Sequence, residues 1–165
     1  MTKIKVLFVC LGNICRSPTA EGVFRSKVVS AEFDSKVFVD SAGTGDWHIG
    51  RPPDKRAQEF AAQAGYDLSS LVGRQVSSKD FAEFDYIIAM DNENLNNLEK
   101  MRPDNYQGHL GLLLNFDQSL PLDEVPDPYT MGEPAFRNAI TLIERGCQGL
   151  LDFIQQTHFS DLAEG

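Results

Sequence analysis

Cys10 and Arg16, six residues apart, bracket the segment Leu11-Gly12-Asn13-Ile14-Cys15, and Ser17-Pro18 follows at once. A thiol and a guanidinium at this spacing, in a turn that runs into a helix, can build an anion cradle. Backbone N–H groups of a compact loop point inward, and a helix N-terminus adds about half a positive charge. The guanidinium supplies two parallel donors. Gly12 lets the backbone approach closely, and Asn13 tolerates left-handed geometry. The same donors would stabilise a thiolate at Cys10. Such a thiolate could attack the phosphorus of a bound phosphate monoester while Arg16 holds two equatorial oxygens. The plainer alternative makes Cys10 a small buried hydrophobe closing a strand and Arg16 a surface charge.

The elements around this loop suit the first reading. Ile4–Val9 is a β-branched and aromatic run that predicts a buried strand. Ser17 is a good N-cap and Pro18 suits the first helical turn, with Ala20, Val23, Phe24 and Val28 as the apolar face. Lys36–Val39 predicts a second strand, ended by the turn-like Ser41-Ala42-Gly43-Thr44. Pro52-Pro53-Asp54 leads a second helix through Ala57, Phe60, Ala61 and Ala64, stopped at Gly65. Tyr86–Met90 predicts a third strand, with Asp91 capping a short helix that Pro103 limits. His109–Leu114 reads as a fourth strand. Glu133–Gln156 carries a long helical stripe that includes Phe136, Ile140, Ile143, Cys147, Leu150 and Ile154.

This alternation predicts a single α/β domain, a four-stranded parallel sheet with helices on both faces and the phosphate-binding loop after strand 1. The domain is expected over residues 1–157, with 158–165 as a short C-terminal tail. Ligands of such sheets sit at the carboxyl ends of the strands, where the first strand–helix turn lies.

Composition narrows the function classes. The 165 residues carry 15 Lys+Arg against 24 Asp+Glu, net −9, so a general nucleic-acid binder is excluded for want of a basic face. The charge is uneven: residues 1–56 are net +3, which leaves room for a small anion in the first third. No apolar run approaches the ~20 residues of a membrane span. The N-terminus shows no signal-peptide pattern, and three scattered cysteines suit a reducing compartment, so a cytoplasmic location is expected. His48, His109 and His158 have no ligand spacing, and neither a metal nor another cofactor is expected.

The run Val9-Cys10-Leu11-Gly12-Asn13-Ile14-Cys15-Arg16-Ser17-Pro18 closely resembles the signature of the low-molecular-weight protein tyrosine phosphatases. Ser41–Thr44, Asp46–Asp54, Arg74-Gln75-Val76, Phe84–Ile87 and Asp127-Pro128-Tyr129 resemble further landmarks of that family, in family order. The resemblance implies Cys10 as nucleophile, Arg16 as phosphate clamp and residues 11–15 with Ser17 as the phosphate-binding loop. It implies that Ser17 donates a hydrogen bond to the Cys10 sulfur and that Asn13 holds the loop through its side chain.

Asp127 is implied as general acid: a phenol with a pKa of about 10 leaves faster when protonated in the transition state. Without the loop, Asp127-Pro128 would read as an ordinary turn starter. Asp117, Asp123 and Glu124 read as solvated loop charges. Trp47 and Tyr129 are implied as aromatic walls for the substrate ring, with partial core burial the alternative for Trp47. Cys15 has two open uses, a disulfide partner that shields Cys10 from irreversible oxidation, or a small buried residue under the loop. Cys147 falls on the core stripe. One departure stands out: the family pattern carries a histidine before Arg74-Gln75 that braces the loop asparagine, and Leu68–Gly73 has none. Ser69 and Ser70 are the candidate substitutes.

The resemblance implies phosphotyrosine-containing proteins as partners, phosphate or vanadate as inhibitors, no nucleic-acid or membrane partner, and a monomer or weak dimer. The acidic balance after residue 56 should disfavour substrates flanked by acids. Three rival functions use a similar loop. A thioredoxin-linked arsenate reductase needs further cysteines mid-chain, and none lies between Cys15 and Cys147. A protein arginine phosphatase is associated with threonine at the position of Ile14. A non-hydrolytic phosphocysteine carrier has no use for Asp127.

Overall fold

β1 (Ile4–Cys10) is buried from Val6 onward, as its uninterrupted apolar run requires of a strand covered on both faces. In the computed structural model, which describes residues 3–160, β1 pairs in parallel with β2 (Val37–Gly43) and with β3 (Tyr86–Ala89). β4 (His109–Leu112) adds to β3, giving the all-parallel order β2-β1-β3-β4. The chain turns to one side of β1 for β2 and to the other for β3. The crevice where this order reverses lies beyond Cys10 and Ala89.

Side chains alternate across the sheet, and each face has its own core. Val6, Phe8 and Cys10 pack with residues of α1 (Arg16–Ser30) and α5 (Glu133–His158). Leu7, Val9, Ile87 and Ala89 pack with Phe81 of α3 (Lys79–Glu83) and Leu98 of α4 (Asn92–Met101). Cys15, Ala57 of α2 (Lys55–Gln63) and Phe136 of α5 form a third, smaller cluster beside the loop.

Two local expectations are corrected. Ser41–Gly43 do not end the second strand but continue it, pairing with Phe8, Val9 and Cys10. Their small side chains look turn-like, yet they serve a strand end pressed against the loop. Ser17 does not cap α1: the helix begins at Arg16, Cys15 occupies the cap position without a side-chain bond, and the Ser17 hydroxyl is used elsewhere. The short α3 has no counterpart among the predicted elements. Of the expected tail, His158 is the last residue of α5 and Phe159 is buried, stacked on Phe33. Residues 161–165 lie outside the described residues, as do Met1 and Thr2.

Candidate active site

Cys10 is the last residue of β1 and only 3% exposed. The carbonyls around it are turned outward into backbone bonds. Cys10 O accepts from Thr44 N (2.9 Å), Leu11 O from Gly45 N (2.9 Å) and Ile14 O from Asp54 N (2.8 Å). The N–H groups of residues 11–15 have no protein acceptor among the described residues. They adjoin the N-terminus of α1, whose first turn holds no acidic residue, so the loop meets the conditions for holding an anion. Asn13 takes the left-handed conformation (φ 56°) that the tight turn demands. Gly43 makes room for the loop: a Cβ there would lie 2.8 Å from Leu11 O and 3.1 Å from Asn13 N.

Beneath the loop, the Asn13 amide sets the hydrogen-bond pattern. Asn13 Oδ1 accepts from the Arg74 N–H at 3.0 Å, so its Nδ2 faces the serines. Nδ2 donates to Ser17 Oγ (2.8 Å) and to Ser41 Oγ (3.0 Å). Ser41 Oγ donates in turn to the buried carboxylate of Glu21 at 2.6 Å, and Glu21 is paired with Arg25. Ser17 Oγ, which accepts from Asn13, has two partners left for its hydroxyl hydrogen, Cys10 Sγ at 3.0 Å and the Ala42 carbonyl at 3.4 Å, and the contact to sulfur is the shorter. Ser41 and the Arg74 amide therefore brace Asn13, whereas Ser69 and Ser70 lie exposed on the surface.

Arg16 is 3% exposed, and its guanidinium is held from behind. Nη1 donates to Asp91 Oδ2 (2.7 Å) and to the Val125 carbonyl (2.9 Å). Burial works against its charge, and the nearby Cys10, Asp91 and Asp127 outweigh burial, so its pKa is raised further. On the open side, Arg16 Nη2 lies 3.7 Å from Asp127 Oδ2. Asp127 is 43% exposed, and its Oδ1 accepts the Tyr129 N–H at 3.0 Å.

Tyr129 and Trp47 are both exposed, Trp47 at 64%, so partial core burial does not describe the tryptophan. The Trp47 ring lies over Gly45, whose N–H is bonded to the loop. Cys15 is buried beside Ala57 and Phe136. Burial first, then the nearby Asp54, Cys10 and Asp127, push its thiol pKa up, so Cys15 stays protonated. Asp117 is tied to Ser119 and Arg145, and Glu124 accepts the Asn92 N–H, which gives both acids structural partners. Among the described residues no His, Cys, Asp and Glu cluster is suited to a metal ion.

The family model for low molecular weight phosphotyrosine protein phosphatases matches residues 5–159. The chain is 45% identical over 153 residues to the low molecular weight protein-tyrosine-phosphatase YfkJ of Bacillus subtilis, covering 93% of this chain and 97% of the relative. The chain belongs to the low molecular weight protein-tyrosine-phosphatase family. The crystal structure of YfkJ has a TM-score of 0.90 to this phosphatase at 44% identity, covering 96% of this chain and 98% of the other. A protein tyrosine phosphatase from Entamoeba histolytica, with Hepes in its active site, also gives 0.90, at 39% identity over 93% and 98%. A Drosophila arginine phosphatase gives 0.86, at 36% identity over 92% and 98%.

Several residues of this phosphatase's site escaped the sequence reading. Asp91 was legible only as a helix cap. Its place directly after β3, at the same end of the sheet as Cys10, was the available signal. Ser41 stood in a segment resembling a family landmark but without a role, whereas Glu21 and the Val125 carbonyl had no signal of their own, because only the fold brings them together.

Proposed function

We propose that this phosphatase hydrolyses phosphotyrosine on proteins, and small aryl phosphates, through a cysteinyl-phosphate intermediate. The Cys10 thiolate attacks phosphorus in line with the ester oxygen, while the loop N–H groups and Arg16 hold the remaining oxygens. As the P–O bond breaks, Asp127 gives its proton to the departing phenolate. Asp127, now a carboxylate, takes a proton from water, and the hydroxide formed attacks the phosphocysteine. The S–P bond breaks, phosphate leaves, and Ser17 donates its hydrogen bond to the returning thiolate. Trp47 and Tyr129 flank the substrate ring, a use that favours aryl over alkyl esters.

One observation carries the reading: Cys10 Sγ bonds Ser17 Oγ at 3.0 Å beneath a loop over which Arg16 and Asp127 stand 3.7 Å apart. Nucleophile, clamp and acid then serve one phosphate. Asp127 relays both protons, giving one to the phenolate and taking one from water. Cys15, in the same loop, is the candidate disulfide partner for oxidised Cys10, and its raised pKa slows that attack at neutral pH.

The decisive experiment compares para-nitrophenyl phosphate, phosphoarginine and arsenate side by side. Aryl phosphate hydrolysis that Cys10→Ser abolishes and EDTA leaves unchanged supports the reading. Turnover of phosphoarginine or arsenate alone would replace it. Phosphate and vanadate should compete with substrate, and phosphotyrosyl peptides with basic flanks should outpace those with acidic flanks at low salt. The proposed setting is the cytoplasm, as a monomer or weak dimer acting on proteins without nucleic-acid or membrane partners. Among the described residues no helix is long and apolar enough to cross a membrane.

A further inference from the structure

Between Val125, tied to Met90 O, and the start of α5 the chain has no helix or strand, yet this stretch carries Asp127. Among the described residues, one hydrogen bond links residues 126–131 to the rest of the molecule: Arg56 Nη2 donates to the Tyr129 carbonyl at 2.7 Å. The planar guanidinium also lies 5.6 Å from the Tyr129 ring centre and 4.8 Å from that of Phe136. Its carboxylate partner is Asp54, which caps α2 and whose N–H holds Ile14 O of the phosphate loop. Tyr129 in turn gives its N–H to Asp127 Oδ1. The phosphate loop, Asp54, Arg56, Tyr129 and Asp127 form one continuous chain of contacts.

We infer that Arg56 is a positioning residue for the general acid, latching the 127–129 turn to α2 so that Asp127 Oδ2 faces the leaving oxygen. The inference rests on Asp127 being that acid. Asp127 is 43% exposed on an irregular segment and its contact with Arg16 is a loose 3.7 Å, so its backbone needs a second hold, and proton delivery depends on placement within hydrogen-bond reach. Arg56 makes a directed bond and cation–π contacts with two rings together, a combination for which a lysine is a poor substitute. Its charge stays on Asp54, so the latch does not compete with Arg16 for phosphate.

The test is kcat/KM across aryl phosphates, from dinitrophenyl (a good leaving group) to phenyl (a poor one). The proteins compared are the parent and the Arg56→Ala, Arg56→Lys, Asp127→Ala and double Arg56→Ala/Asp127→Ala variants. Arg137→Ala is the control for helix docking: Arg137 sits on α5, bonds Gln63 of α2 and lies over Phe60. Arg56→Ala should lose about tenfold on phenyl phosphate, a fraction of a general acid's full effect, and little on the dinitrophenyl ester. Arg56→Lys should recover little, and Arg137→Ala should leave the leaving-group dependence unchanged. Adding Arg56→Ala to Asp127→Ala should change nothing more.

A loss independent of leaving group, a full rescue by lysine, an equal effect from Arg137→Ala, or an undiminished loss in the Asp127→Ala background would each overturn the latch. If Asp127→Ala itself showed no extra loss with poor leaving groups, the acid assignment would fall, and that result is read separately from the Arg56 variants.

Discussion

Asp91 serves Arg16 and its own helix at once. Its Oδ2 holds Arg16 Nη1 at 2.7 Å, while its Oδ1 accepts the Asn94 N–H at 2.8 Å and caps α4. The order β2-β1-β3-β4 makes this possible, because the turns after β1 and β3 share one crevice. The buried guanidinium is thereby fixed on its far side, while its Nη2 edge faces Asp127 at 3.7 Å.

Removing that support should separate activity from stability. Asp91→Ala loses both a cap of about 1 kcal/mol and the partner of a buried cation, together about 2–4 kcal/mol. Asp91→Asn keeps an oxygen for the cap but not the charge, so it should regain more melting temperature than activity. We expect kcat/KM on para-nitrophenyl phosphate to fall at least tenfold in both variants, measured beside thermal unfolding. Near-parent turnover in Asp91→Ala would show that the Val125 carbonyl alone can hold Arg16.

Cys10 and Cys15 should differ in reactivity although both are buried free thiols. Burial and the surrounding carboxylates keep Cys15 protonated, so Cys15→Ser should retain most hydrolysis while Cys10→Ser abolishes it. Peroxide should inactivate the parent, and vanadate in the loop should protect it. Thiol reductant should restore the oxidised parent more fully than oxidised Cys15→Ser, because the disulfide diverts Cys10 from higher oxidation states. Equal recovery in the two proteins would leave Cys15 a packing residue.

Raising the Cys15 pKa also sets a stability window. An unfolded thiol ionises near pH 8.5, whereas the buried one does not, so below that pH the contribution to stability is fully present. As pH climbs above it, the unfolded state loses protons that the folded state keeps, and stability falls. Urea midpoints from pH 7 to pH 10 should therefore decline less steeply in Cys15→Ser than in the parent. Parallel slopes would contradict the assignment.

The signature around Cys10 was legible because helix, strand and loop each demand a residue type there: an apolar run, a glycine, a left-handed asparagine, a proline. The four strands followed from the same alternation of patterns. What eluded the sequence lies where one residue type has two uses. Ser17 is a fine cap by composition, but its hydroxyl accepts from Asn13 and lies 3.0 Å from the Cys10 sulfur instead. Ser41–Gly43 resemble a turn because small residues suit both turns and strand ends pressed against a loop. Arg56 reads as one more surface charge until Tyr129, 73 positions away, is seen beneath it.

Gly43 gives the sharpest test of how tightly the cradle is built. Its φ is not in the left-handed region, so alanine meets no backbone strain there. The obstacle is space: the added carbon would sit 2.8 Å from Leu11 O and 3.1 Å from Asn13 N, both backbone atoms of the loop. Backbone cannot swing aside as a side chain can, so either β2 or the loop must shift. Gly43→Ala should cost about 1–3 kcal/mol of stability through overpacking. It should cost more in activity, because displaced N–H groups no longer converge on the phosphate. Gly45→Ala is the comparison, since the atoms nearest its new carbon belong to the exposed Trp47 ring, a side chain that can turn away. We expect Gly45→Ala to raise KM for aryl phosphates while holding vanadate near parent affinity, and Gly43→Ala to weaken vanadate itself. Unchanged vanadate binding in Gly43→Ala would mean that the loop keeps its shape without this close contact.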